Sequence, residues 1–175
     1  MSVTDGEFEF LENGEEIIFL LRAHPLTLIP IIILILILIF VPVLIVPILD
    51  FLNFNIFSQL GFSQSFLLLI FWYLVTFGYA FYRFVIWYFN VYILTSKRII
   101  DIDFRGLLHK ETSYANLAQV QDVTPKIRGF FGTFFHFGSV YIQTAAERPE
   151  FEFLHVGKPG EVAKTILETA RTEKT

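Results

Sequence analysis

Few residues in this chain have the type and spacing that catalysis needs. The histidines are His24, His109, His136 and His155. None pairs with another at a helical i, i+4 spacing or with a carboxylate at a ligand-like interval, so no metal centre is expected. The chain has no cysteine, which removes disulfides, thiolate zinc sites and cysteine nucleophiles. It also lacks a Gly-x-Ser-x-Gly elbow and a phosphate loop ending in Lys-Ser/Thr. The stretch "GFFGTFFHFG" is rich in glycine, but no basic residue follows at the place a nucleotide loop requires. Gly129, Gly132 and Gly138 read instead as turn or bulge glycines. The expectation is a non-enzyme with no catalytic residues, no metal and no cofactor.

What remains is binding chemistry. Lys97, Arg98, Arg105 and Lys110 surround one predicted hairpin, and Lys126 and Arg128 precede Phe130, Phe131, Phe134, Phe135 and Phe137. A base near an anionic membrane surface contributes roughly 1 kcal/mol, so all six are candidate lipid-headgroup contacts. The first four either form a phosphate pocket or simply face a nearby bilayer. The phenylalanines have two readings as well. Phe130, Phe131 and Phe134 belong to a loop that dips into the inner leaflet, or the rings are core, with Phe135 and Phe137 alternating into the next strand. A net charge of −4 argues against nucleic acid as a partner.

The elements that must position these residues fall into three blocks. Residues 1–25 form an acidic head carrying Asp5, Glu7, Glu9, Glu12, Glu15 and Glu16 against one base, Arg22. Residues 26–89 are a hydrophobic block in a chain that is 54% hydrophobic and holds 22 phenylalanines, too apolar for an ordinary soluble domain. Its first span, 26–48, is uncharged and reaches roughly 35 Å as a helix, enough to cross a bilayer core of about 30 Å. Insertion of such residues is favourable by about 6–11 kcal/mol in total. Pro42 and Pro47 are expected to kink or end that helix. A buried soluble helix is the poorer reading of so long an uncharged run. A cleaved signal peptide is poorer too, since the preceding residues are acidic and no small-residue cleavage site follows.

The second span, about 66–89, is rich in aromatic residues, with Trp87 and Tyr88 as an interfacial belt at its exit. Arg83 lies within it, either in a conduction path or snorkelling to headgroups; it has no acidic partner in either span. The connecting segment, 49–65, has no base and is apolar at Phe51, Leu52, Phe54, Ile56, Phe57, Leu60 and Phe62. The basic residues flank the block, so the positive-inside rule puts both termini in the cytoplasm.

Residues 90–175 change period. In "RIIDIDFR", Ile100, Ile102 and Phe104 alternate with Ile99, Asp101, Asp103 and Arg105, as in a half-buried strand. "VYILTS", "LLHKETSY", "LAQVQDVTPKI", "GSVYIQTA" and "FEFLHV" read as further strands, with a polar turn at 147–150. Val162, Ile166, Leu167 and Ala170 then recur at helical spacing, giving an amphipathic C-terminal helix over the end of a curved sheet or barrel.

The pieces "LTSKRII", "G-L-L-x-K-x-x-S", "N-L-x-x-V-Q-D-V" and "F-G-S-V-Y-I", in that order, resemble the bacterial pleckstrin-homology-like (PH-like) domain family. "GEEIIFLLRAHPL" looks like the lead-in of its membrane-anchored members. The resemblance implies a membrane helical hairpin of two transmembrane helices followed by a mainly-β PH-like barrel of about seven strands with a C-terminal helix. It implies a binding or scaffold module rather than an enzyme. The expected partners are the lipid bilayer and other membrane proteins or a second copy of the chain. The alternative is an accessory subunit of an oligomeric transport or export assembly, in which Arg83 or Asp50 faces an aqueous path.

Overall fold

The computed structural model of the protein describes residues 14–54, 60–106, 109–145 and 150–173. The acids before Gly14, Ile56 and Phe57 of the connecting segment, and 147–149 of the expected polar turn lie outside them. Two compact units result, one made of 14–24 together with 88–173 and the other of Pro25–Trp87.

The first unit holds seven strands in two antiparallel sheets and a C-terminal helix, consistent with a PH-like fold. β1 (Ile17–Arg22), β2 (Val91–Thr95), β3 (Arg98–Gly106) and β4 (His109–Asn116) form one sheet in that order. β5 (Val120–Lys126), β6 (Phe137–Thr144) and β7 (Glu150–Gly157) form the other. A short helix, labelled α3 below, separates β5 from β6, and helix α4 (Pro159–Glu173) closes the unit.

The first strand departs from the sequence reading. The expected domain begins at residue 90 and leaves 1–25 as a separate segment, yet Ile17–Arg22 is the edge strand of the first sheet. Its ladder with β2 runs from Ile17 opposite Thr95 to Arg22 opposite Val91. "IIFLLR" is apolar without alternation, so period two does not disclose it. A second anchor lies just upstream. The Glu15 side chain is fully buried and holds Arg98 with both carboxylate oxygens, at 2.7 Å from Nη2 and 2.9 Å from Nε. Thr95 Oγ1 donates to the same carboxylate at 2.6 Å.

The core packs between the sheets and under α4. Leu94, Ile99, Leu117, Val140, Ile142 and Phe153 meet Val162, Ala163, Ile166 and Ala170 of the helix, with Leu167 partly buried. Alternation in β3 is as expected, but both of its faces carry buried isoleucines. Ile99 enters the main core, while Ile100 and Ile102 join Ile93 in a second cluster. Tyr92 stacks on Phe153 at 4.6 Å, and its hydroxyl accepts from Leu154 N at 3.2 Å.

The second unit is a helical hairpin. α1 (Ile29–Phe51) follows a 3₁₀ turn at Pro25–Leu28, and its partner is α2 (Phe62–Phe89), whose last two residues belong to the first unit. Both are long and apolar enough to cross a membrane. α1 buries none of its residues, and α2 buries only Thr76. Pro42 and Pro47 lie inside α1 without ending it. Because Pro42 has no amide hydrogen, the Leu38 carbonyl loses its helical donor. Trp72 of α2 fills that vacancy, its Nε1 donating to Leu38 O at 2.8 Å, and Tyr73 Oη donates to Ile39 O at 3.1 Å. A donor from a neighbouring helix makes a proline inside a helix tolerable.

These observations predict three outcomes. A chain in which 25–87 is replaced by a short Gly/Ser linker should fold cooperatively, because Arg22 and Val91 face each other across one ladder rung. The chain 90–175 alone should be less stable by about 3 kcal/mol or more, since Arg98 then sits without its buried carboxylate. Denaturant unfolding of the two would check this, and equal stability would contradict it. Trp72→Phe should destabilise the hairpin by about 1 kcal/mol, seen as a lower thermal midpoint in lipid nanodiscs; an unchanged midpoint would contradict the carbonyl repair. The third concerns Tyr92. Burial, reinforced by Asp101, Asp103 and Glu152, pushes its phenol up from 10.0 to about 12. The folded state thus holds this proton more tightly than the unfolded state. The contribution is complete below pH 10 and lost as pH rises towards 12, amounting to about 2–3 kcal/mol. Tyr92→Phe should flatten that part of the stability profile; an unaltered slope would contradict the assignment.

Candidate functional site

The first unit has one end at which the chain leaves for α1 and returns from α2, and several side chains fix it. Arg22, on the last rung of β1, donates from Nε to Tyr88 O at 3.0 Å, with its guanidinium 4.5 Å from the centre of the Tyr88 ring. Asn90, the single residue between α2 and β2, donates to Asp103 Oδ1 at 3.0 Å and accepts from Phe104 N at 2.6 Å. Phe89 packs on Phe104 with ring centres 5.8 Å apart. On the departing side, His24 N donates to His155 O at 2.7 Å, and the His24 ring stacks on Phe137 at 5.3 Å. The chain thus passes from helix to strand across one residue because Asn90 satisfies β3 on both sides of its amide group.

α3 (Gly129–Phe135) lies at this same end, since it finishes two residues before Phe137. Gly129, at φ 76°, makes the turn into it, and His136, at φ 53°, closes it in the left-handed region. His155 and Lys158 share that unusual conformation, and His136 O accepts from Lys158 N at 2.7 Å. Left-handed L-residues cost on the order of 1 kcal/mol each, so this corner is shaped against local preference. Gly138 permits the close approach of β5, because a Cβ there would collide with the Lys126 carbonyl.

The outcome for the phenylalanines is an exposed patch on a short helix. Phe130, Phe131 and Phe134 are 77%, 63% and 66% exposed, and Phe135 is exposed as well. Phe130 stacks on Phe134 at 6.1 Å, the i, i+4 pairing of one helical turn. Neither the core reading nor a loop describes this segment. Phe135 ends the helix instead of alternating into β6, and only Phe137 enters the strand, partly buried. Lys126 holds its ammonium 4.3 Å from the Tyr141 ring, and Arg128 and the exposed Ile127 lead into the helix. No acidic residue occurs between Asp122 and Glu147.

The other bases are divided. Lys97 and Arg98 stand at the far end of β3, while Arg105 and Lys110 stand near the chain exits, about 23 Å away along the strand. Arg98 is held by Glu15 inside the fold and lies 5.4 Å from the Tyr114 ring. Lys97 occupies the turn after β2, where its amide donates to Thr95 Oγ1 at 3.3 Å. Lys110 is exposed opposite Phe104. The four bases grouped by sequence around one hairpin are therefore not one cluster in space. His24 and His155 converge on Phe137, whereas His109 opens β4. Among the described residues, no group of three or more His, Asp or Glu is placed to hold a metal. In the hairpin, Asp50 lies at the loop end of α1 and Arg83 near the opposite end of α2. Arg83 Nε is buried with no hydrogen-bond partner among the described residues.

The family comparison agrees with this architecture. The sequence profile of the family described as "Bacterial PH domain" matches residues 17–170. Among solved structures, the chain is similar to a DUF1696 family protein with a pleckstrin-homology domain from Shewanella loihica PV-4. That likeness has 18% identity and a TM-score of 0.33, over 49% of this chain and 71% of that one. No curated protein matches the chain. The matched residues open on Ile17, the first of β1, and end within α4. The family match thus takes in the strand before the hairpin as well as the six strands and most of α4 after it, and the chain belongs to the bacterial PH domain family.

Proposed function

We propose that this protein is a membrane-anchored PH-like module that binds or scaffolds partners at the cytoplasmic face of a prokaryotic membrane, without catalysis. The observation that carries the reading is the β1–β2 ladder. The residues on either side of the apolar hairpin are hydrogen-bonded to each other, so they share one side of any bilayer the helices cross. Two crossings satisfy that constraint and one does not. Further support comes from the helices themselves. α1 contains no charge except Asp50, α2 none except Arg83, and their apolar side chains stay exposed; in water that surface would drive aggregation. A cleaved leader would carry β1 and Glu15 away from the sheet, which speaks against a signal peptide. The bases flanking the hairpin favour the cytoplasmic side for the PH-like unit. The expected partners are the bilayer and other membrane proteins or further copies of the chain. The transport alternative needs Asp50 or Arg83 to face an aqueous path, which two helices could line only as an oligomer.

The native chain has no cysteine, so single-cysteine labelling tests the topology. Asn53→Cys should react with an impermeant maleimide in intact cells, and Lys164→Cys only in inverted vesicles. Labelling of both from one side would overturn the anchored reading. Crosslinking in native membranes should then recover a second copy or another envelope protein; a strict monomer without partner or lipid would overturn the scaffold role.

A further inference from the structure

The exposed phenylalanines of α3 form an apolar surface that the core does not use. Three features bear on what covers it. Two bases lead into it, Lys126 at the end of β5 and Arg128 just before α3, and the chain carries no acid from 123 to 146. It stands at the end of the PH-like unit where the chain leaves, because Phe137 is stacked on His24, the residue before Pro25. Its rings pack on each other, Phe130 on Phe131 and Phe134, and Phe134 on Phe135, so they form one continuous apolar surface. We infer that α3 beds its phenylalanines into the headgroup–acyl boundary of an anionic bilayer, with Lys126 and Arg128 on lipid phosphates. The inference rests on the anchored reading above and adds to it a second attachment through a peripheral amphipathic surface. Aromatic rings beside bases are the composition of interfacial helices, and the two bases are complementary to anionic lipid. With the domain tethered at the same end, the contact forms at high effective concentration, which lets the four exposed phenylalanines of α3 suffice.

The test uses the full chain in nanodiscs of phosphatidylcholine with phosphatidylglycerol, carrying one spin label at a time. The sites are Phe131→Cys, Phe134→Cys, Leu36→Cys in α1 and Lys164→Cys on α4. Collision with dissolved oxygen against a water-soluble nickel chelate reports depth. The expected result is that 36 reads as bilayer interior, 164 as water, and 131 and 134 as interface. Lys126→Gln and Arg128→Gln should each lower the bound-to-free ratio of α3 about fivefold, and pure phosphatidylcholine should lower it at least as much. If 36 reads as bilayer while 131 and 134 read like 164, the inference is overturned and the anchored reading stands. If 131 and 134 are shielded from both reagents, a protein covers the patch and the inference is again overturned. If 36 reads as water, the anchored reading fails and takes this inference with it.

Discussion

The sheet of the PH-like unit is closed by a strand that the chain makes before its apolar hairpin, and the other features follow from that pairing. β1 lies hydrogen-bonded along β2 from Ile17 to Arg22, although the two are separated by the whole of Pro25–Trp87. The desolvation of Glu15 makes the closure specific. A buried carboxylate is costly unless fully paired, and it is met by the guanidinium of Arg98 and the hydroxyl of Thr95. Displacing the N-terminal segment would strip an edge from the sheet and leave Arg98 uncompensated at once. The hairpin is thus an insertion into the domain between its first two strands, and the domain is not simply a tail that follows it.

That arrangement concentrates the demanding contacts at one end. Arg22, His24, Asn90 and Phe104 gather where the chain departs and returns, each satisfying backbone or ring surface that a bare strand end would leave open. The left-handed residues His136, His155 and Lys158 bend β6, β7 and the start of α4 around the same place. Hydrogen-bonded construction here stands beside an exposed aromatic helix. The hairpin solves a different problem in the same currency of hydrogen bonds, with α2 side chains supplying donors to carbonyls of α1 around Pro42.

Much of this was legible in the residue pattern. Alternation disclosed β3 and β6, and helical spacing disclosed α4, because β6 and α4 turn a periodic face to the core; the other strands after the hairpin were read from short apolar runs between turn residues. β1 was opaque for the opposite reason. Its six residues, IIFLLR, are apolar throughout except for Arg22 and adjoin a hydrophobic span, so no period stands out. α3 was obscured by its two glycines and its length of seven residues, which carry little helical signal. Both expected long apolar helices are present, but their limits moved, α1 extending past Pro47 to Phe51 and α2 starting at Phe62. Among the candidate site residues, spacing along the chain could not separate Arg98 from Lys110. Only the distant Glu15 makes one a structural partner and leaves the other exposed, and a pairing across 83 positions has no local signature.

The register of β1 against β2 is the claim to measure first. Leu20 faces Ile93 across the ladder, while Leu94 faces Phe19. Cross-strand partners lie about 4.5–5.5 Å apart, within reach of a disulfide, and a residue on the opposite face is not. In membranes containing the full chain, Leu20→Cys with Ile93→Cys should oxidise to an intramolecular crosslink, and Leu20→Cys with Leu94→Cys should not. Failure of the first pair, or equal crosslinking of both, would contradict the closure of the domain across its hairpin.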